Sequence, residues 1–384
     1  MKEALKQEFP GLKLAFDRPY RELTTLGVGG TLPILAEPED AETLGKLLVF
    51  LRKRGTPFFI LGNGSNLVGM DKPYDGVGIR LERKAFGDIE LDGDKVVCGA
   101  RASLPEIAAR AARAGLHGMG ALSGIPAGIG GAVRMNASCR GTATGELVDE
   151  VEGVTYDGKP WSARGAELKW EYRKGGVPAD VVVTRVTLKL APGEVDAELA
   201  ALEAERAKRR ETEPEGRTAG CVFRNVSKEN PAGMLIDRCG LRGARIGGVE
   251  ISTKHANYLV NASGSASEAD FLAVAKLARR TVSERFGFEL RPEVRFISEE
   301  SERELLEAVP AARASGPDGA NPVLISLCRW FYRLTCVLAA GALCAVAAGI
   351  WKSSPSAAGV LVGGAALLLL AEAVHTMLKR LEKR

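Results

Sequence analysis

Ile60-Leu61-Gly62-Asn63-Gly64-Ser65-Asn66-Leu67 and Ser123-Gly124-Ile125-Pro126-Ala127-Gly128-Ile129-Gly130-Gly131 are the two stretches on which the fold turns. Loops this poor in side chains let backbone N–H groups approach an anion, because no Cβ stands in the way. A ligand carrying two phosphates, such as a dinucleotide, would use both loops at once. Each alone reads equally well as a tight turn; together they favour a phosphate cradle.

Working outward, Leu44, Leu47, Leu48 and Leu51 recur at helical spacing within residues 39–54, and Gly55 follows as a stop. Thr56 to Leu61 reads as a short strand entering the first glycine loop. A strand at Val96-Val97-Cys98 leads to Ser103-Leu104-Pro105-Glu106, a capping box that opens a helix ending near Gly115. The second glycine loop comes next, and Val181 to Leu190 forms a last strand. This alternation predicts an α/β or α+β domain over residues 1–194. No G-x-G-x-x-G opens a helix after a strand, which disfavours a Rossmann domain. Residues 196–210 form a charged helix. A second domain, 195–298, contains a helix from Ser267 to Phe286 with Phe271, Val274, Ala275, Ala278 and Val282 on its buried face. Residues 299–321, acidic and then rich in Ala, Gly and Pro, read as a tether within a linker spanning 299–326.

The 384 residues suffice for two or three buried cores, and 52 basic against 48 acidic side chains leave a net charge of only +4. That balance gives no electrostatic case for nucleic acid. Leu334 to Trp351 and Ser353 to Ala371 are uncharged runs joined through Lys352, each long enough, edges included, for the about 20 residues of a membrane-spanning helix. Arg329 and Arg333 precede them, while Lys379, Arg380, Lys383 and Arg384 follow. The pattern predicts a transmembrane hairpin over 327–378 and a basic tail over 379–384, both ends on the inner face. A hairpin buried in a soluble fold is the alternative. The opening MKEALKQEFPG has no apolar signal segment, so a cytoplasmic catalytic part is expected. The seven cysteines contain no C-x-x-C pair and the three histidines stand alone, so no metal is expected.

The motifs form an ordered set. Besides the two loops, with Ala132-Val133 leading to Met135-Asn136-Ala137, there are Tyr172-Arg173, Ala219-Gly220-Cys221-Val222-Phe223-Arg224-Asn225, and Pro292-Glu293-Val294-Arg295-Phe296-Ile297. Over roughly residues 10–298 the chain closely resembles the UDP-N-acetylenolpyruvoylglucosamine reductases (UDP-N-acetylmuramate dehydrogenases), in their shorter structural type. The resemblance implies an α+β fold: a vanillyl-alcohol-oxidase-type FAD-binding domain with a smaller α+β substrate domain. The apolar C-terminal pair is not part of the family pattern. It also implies NADPH as co-substrate, FAD as cofactor, and reduction of the enolpyruvyl ether of UDP-N-acetylglucosamine to UDP-N-acetylmuramate for peptidoglycan. Cofactor contacts are implied for Gly62, Asn63, Gly64, Ser65, Asn66, Leu67, Gly124, Ile125, Pro126, Gly130, Gly131, Asn136 and Ala137.

The reaction sets three tasks: hold the flavin, stabilise an enolate-like charge and deliver a proton. Arg173, permanently cationic, is the candidate for the charge. Glu293 would lie across the enolate and must be protonated or arginine-paired, since an unpaired like charge would oppose the reaction. Cys221 stands where family members often carry a proton-donating serine; its reference pKa of about 8.5 makes it the stronger acid. Tyr172, Arg209, Arg224 and Asn225 are candidates for the uridine diphosphate substrate, with Arg210 a further cation. His255 reads as a core histidine. Two departures stand out: Gly175 replaces a usual serine, and Ser138-Cys139-Arg140 replaces a small and aromatic run. The competing readings are another FAD oxidoreductase of the same fold, and a membrane-tethered binding or scaffold protein with a degenerate flavin domain.

Overall fold

The computed structural model describes residues 1–307. Two compact units divide the described residues: 1–278 with 291–307, and 279–290.

In the first unit, the helix Ala41–Lys53 starts where Asp40 Oδ1 accepts a hydrogen bond from the Thr43 N–H at 2.7 Å, an N-cap. Leu44, Leu47, Leu48 and Leu51 are fully buried on one face, as their spacing predicts. The strand Phe58–Ile60 follows and runs parallel to Val77–Ile79. Thr31–Glu37 lies parallel on the other side of Val77–Ile79, and Lys13–Pro19 closes the sheet antiparallel. The first glycine loop therefore leaves an edge strand of a mixed four-stranded sheet.

A second, antiparallel sheet has the order Pro160–Arg164, Val148–Thr155, Val181–Lys189, Lys95–Gly99, Ile89–Asp92. Its inward residues Val96, Val151, Val154, Val182, Val186 and Leu188 join the same core as the leucines above. Ser103 Oγ accepts from the Glu106 N–H at 3.3 Å and opens the helix Leu104–Arg113. Just before that helix, the carbonyls of Ala100 and Ala102 accept from the Gly130 and Ile129 N–H groups at 3.0 and 2.9 Å. These bonds stitch the second glycine loop to the end of strand Lys95–Gly99.

A third sheet, Thr218–Cys221, Tyr258–Asn261, Val249–Ile251, Arg245–Ile246, is antiparallel throughout. Asn261 Nδ2 donates to the carbonyls of Leu26 and Gly27 at 3.2 and 3.1 Å, and Thr25 Oγ1 donates to the Thr218 carbonyl at 2.7 Å. The helix Glu268–Phe286 begins against Asp71, whose carboxylate accepts from the Glu268 and Ala269 N–H groups. Phe271, Val274, Ala275 and Ala278 are fully buried.

The charge-rich helix Val195–Thr212 is not solvated all round: Glu198 and Glu205 are buried. Glu198 Oε1 lies 2.7 Å from His117 Nδ1, and Glu205 Oε2 pairs with Arg140 Nη1 at 2.5 Å. A second difference concerns the start of the expected tether. Residues 299–307 are the helix Glu299–Glu307, with Leu305 fully buried and Glu304 ion-paired to Lys276. The apolar side chain at position 305 rewards helix formation, which the acidic composition hides. In the second unit, Arg279 Nε donates to the Leu290 carbonyl at 2.8 Å. Among the described residues no helix is long and apolar enough to cross a membrane; the hairpin expected over 327–378, the tail over 379–384 and the rest of the linker lie outside them.

Candidate active site

Three segments distant in sequence converge through main-chain bonds. The Glu293 N–H donates to the Val222 carbonyl at 2.7 Å, and Phe223 bridges Pro292, so the residues after Cys221 lie alongside the Pro-Glu-Val-Arg segment. Arg295–Phe296 pairs parallel with Leu67–Val68, directly after the first glycine loop. Asn66 Nδ2 donates to the Glu293 carbonyl at 3.1 Å. The loop and the acid are thus parts of one hydrogen-bonded assembly.

Arg173 reaches the same place from the turn Glu171–Lys174, with φ at +59°, a left-handed backbone that a side chain other than glycine rarely adopts. Its Nε stands 2.6 Å from Glu293 Oε1, and the two side chains form an ion pair. Nη1 donates to Ser138 Oγ at 2.6 Å and to the Ser138 carbonyl at 3.2 Å. The side chains of Arg173 and Glu293 are only 17% and 14% exposed, so this pair is screened little by solvent. Burial weakens the charge on Arg173, but Glu293 more than offsets it. For Glu293 burial dominates, and its carboxyl is held above the usual range despite Arg173 and Arg224.

Cys221 ends its strand beside this pair. Burial, reinforced by the Glu293 charge and opposed by Arg173, pushes its thiol up to about 12. The thiol is therefore almost wholly protonated at neutral pH, and its proton stays in place until a strong base arrives. Asn257, which the sequence offered only as part of a segment with His255, organises the thiol's surroundings. Its side chain donates to the Phe223 carbonyl at 2.8 Å and accepts from the Phe223 N–H at 3.0 Å, which holds it near Cys221, where it favours the thiolate slightly. Glu213, not anticipated at all, adds negative charge near both Cys221 and Tyr258.

Among the diphosphate candidates, Arg209 pairs with Glu213 and lies against Gly124, where a Cβ would overlap its Cδ. Arg224 acts electrostatically on Glu293, and its Nε is buried without a partner among the described residues. Tyr172 is 53% exposed, with the Arg173 guanidinium carbon 5.0 Å from its ring centre. Asn225 Oδ1 accepts from the Ala232 N–H at 3.0 Å, at the start of the helix Ala232–Arg238. Arg210 pairs with Glu203 on the helix exterior. His255 Nδ1 accepts from the Asn257 N–H at 3.2 Å, and burial lowers its pKa.

In the loops, Gly62 and Gly131 are exposed, and a Cβ on either would meet nothing within 4 Å. Gly64 is different: at φ +67° it packs so tightly that a Cβ would overlap the Leu23 carbonyl. Gly130 is tight against Ala100, and Pro126 is exposed while Ile125 turns the chain by accepting from the Ala127 N–H. The loops are adjacent, since Asn63 Oδ1 lies 3.6 Å from where a Cβ on Gly128 would stand. Ser65 and Leu67 are half-buried between Gly64 and the paired strand. Asn136, at φ +41°, donates to the Glu171 carbonyl and accepts from the Gly145 N–H, which holds the Arg173 turn; Ala137 bonds Ala132 and Thr144. Two cavities of about 860 and 670 Å³ lie elsewhere, one against Asp40 and Lys46 and the other against His117 and Arg140. Neither is lined by Arg173, Cys221 or Glu293, and the first is rimmed by carboxylates that would repel an anionic substrate.

Residues 212–297 match the family described as UDP-N-acetylenolpyruvoylglucosamine reductase, C-terminal domain, and residues 33–164 match the FAD binding domain. The UDP-N-acetylenolpyruvoylglucosamine reductase of Anaeromyxobacter dehalogenans is 39% identical over 305 residues, covering 79% of this chain and 92% of the relative. The chain belongs to the UDP-N-acetylenolpyruvoylglucosamine reductase family. The enzyme of that name from Methylorubrum populi is 37% identical over 290 residues, 75% of this chain and 93% of its own. Among solved structures, the UDP-N-acetylenolpyruvylglucosamine reductase of Thermus caldophilus matches with a TM-score of 0.63 and 35% identity, covering 74% of this chain and 98% of that one.

An α+β FAD-binding fold of this reductase family is therefore present. The bare main chain at Gly62 and Gly131, in adjacent loops, fits a dinucleotide cofactor, because the space a Cβ would take is open on both. Both departures from the reductase pattern have structural partners here. Ser138 anchors Arg173, and Gly175 packs where a Cβ would overlap the Val133 carbonyl.

Proposed function

We infer that the chain is the NADPH-dependent FAD oxidoreductase that reduces the enolpyruvyl ether of UDP-N-acetylglucosamine to UDP-N-acetylmuramate, a step of peptidoglycan precursor synthesis. The observation that carries the reading is the meeting of Arg173, Cys221 and Glu293 beside the first glycine loop. FAD, held by the two glycine loops, would supply the hydride chemistry that links NADPH to the terminal alkene carbon.

The chain's own residues do the rest. Arg173 binds the substrate carboxylate and holds the negative charge that grows there; a charge-assisted, forked grip suits it. Glu293 keeps Arg173 in register through their 2.6 Å ion pair, which balances its own negative charge near the enolate. Cys221 Sγ–H delivers the proton to the carbon beside the ether oxygen, and the S–H electron pair stays on sulfur. Tyr172, Arg209, Arg224 and Asn225 form the substrate side, and Gly62 to Leu67, Gly124 to Pro126, Gly130, Gly131, Asn136 and Ala137 the cofactor side. In this reading residues 1–194 carry the cofactor and 195–298 the substrate.

The apolar runs after residue 333, flanked by basic residues, support a membrane hairpin that keeps the enzyme at the inner face of the membrane. A membrane-tethered binding or scaffold protein with a degenerate flavin domain is the second reading, favoured by the cysteine at position 221 and by the apolar C-terminal runs. Stopped-flow absorbance of the two half-reactions tests the assignment. NADPH should bleach the bound flavin and the enolpyruvyl nucleotide should restore it. Cys221→Ala should spare bleaching and slow recovery by roughly 10²–10⁴-fold, the usual worth of a positioned acid. Equal loss of both half-reactions would reject the donor role, and colourless protein that takes up no FAD would reject the enzyme reading.

A further inference from the structure

We propose that Arg101 is a cofactor-binding residue whose guanidinium takes up the diphosphate of FAD across the first glycine loop. The inference rests on the flavin reading above. Arg101 lies between Ala100 and Ala102, the two residues whose carbonyls hold the second loop at Gly130 and Ile129. Its side chain crosses to the other loop, where Nη1 donates to the Gly62 carbonyl at 2.6 Å. One residue therefore stands at both halves of the cradle, its Cα 3.7 Å from where a Cβ on Gly128 would lie and its cation at the other loop.

That cation lacks a counter-ion. No carboxylate lies within 4.0 Å of it among the described residues, and its Nε is buried with no hydrogen-bond partner there. The nearest acids acting on it, Glu37 and Glu82, are engaged elsewhere. Glu37 pairs with Arg80 at 2.7 Å and with Lys13 at 3.3 Å, and Glu82 accepts from the Ala85 N–H at 3.0 Å. Arg80 and Arg83 add like charge, so burial and neighbours both disfavour the guanidinium's charge. A half-buried arginine in such a field is stabilised by an anion. A phosphate matches the planar donor fork, and the neighbouring Gly62 leaves main chain open beside it.

FAD, NADPH and the uridine nucleotide all carry a diphosphate; Arg101's place on the first loop favours FAD, and the test separates the three. Apoprotein is titrated with FAD and with riboflavin, which lacks phosphate, following flavin fluorescence. Arg101→Met should weaken FAD binding by about 10–100-fold, the worth of a charged hydrogen bond, and leave riboflavin affinity unchanged. Arg101→Lys should lose less, since it keeps the charge but not the fork. With FAD saturating, the KM values for NADPH and for the uridine nucleotide should not move. Unchanged FAD affinity, an equal loss for riboflavin, or a loss confined to either nucleotide overturns the proposal. If Arg101→Met does not fold, Arg101→Lys decides by the same comparison. Wild-type protein that binds neither flavin rejects the flavin reading, and this inference with it.

Discussion

At the scale of single residues the chemistry depends on one thiol kept protonated. Its environment can be read out by titration. Burial and then Glu293 raise the Cys221 pKa to about 12, while Arg173 lowers it. Glu293→Gln removes a negative neighbour, so thiolate absorbance near 240 nm should appear at lower pH than in wild type; a later onset would contradict the geometry. Stability follows with a definite sign. The folded thiol binds its proton up to about pH 12, whereas the unfolded one loses it near pH 9, so stability present below pH 9 is lost as pH rises between those values. From pH 7 to 10 wild type should lose about 1–2 kcal/mol more than Cys221→Ser in urea denaturation. The motif containing Cys221 was legible in the sequence, but its supports were not. Ser138 is 35 positions from Arg173, and nothing local to Asn257 or Glu213 announces that the fold carries them to position 221.

At the scale of elements the two glycine loops divide into structural and open positions, a distinction that composition cannot make. Gly64 combines a left-handed backbone with a close approach to the Leu23 carbonyl, so Gly64→Ala should destabilise even the apoprotein by more than about 1 kcal/mol. Gly131 lies inside the helix Ile129–Met135 with open space around it, so Gly131→Ala should leave the apoprotein melting temperature unchanged or raise it. The same substitution should weaken FAD binding. A variant that melted earlier but bound FAD normally would exclude Gly131 from the cradle. The helix and strand around the first loop were legible because leucine spacing and a capping acid leave local marks. Helix Val195–Thr212 was legible only as a helix. Its burial of Glu198 and Glu205 depends on His117 and Arg140, which lie far back in the chain, and charge alone suggests a solvated face.

At the scale of the whole molecule, the residues placed at the site all precede residue 298, and the helix Glu299–Glu307 packs through Leu305 onto the same unit. Truncation after residue 321 should therefore leave both flavin half-reactions at wild-type rates, while moving the protein from the membrane pellet to the supernatant after lysis. Equal fractionation of the two forms would reject the hairpin, and slowed flavin chemistry would show that the tail contributes to the site. The order of segments was legible because the motifs come in one sequence; how Leu67–Val68 meets Arg295–Phe296 was not, since two-residue strands leave no periodicity to detect. That small parallel pairing, with Asn66 gripping the main chain of Glu293, couples occupancy to order. A ligand that stills the strand exit at residues 62–66 should also still the main chain of Glu293, more than two hundred positions away. Deuterium uptake at 292–297 would then slow on loading with the dinucleotide, as though that remote stretch were itself a sensor of a full cradle.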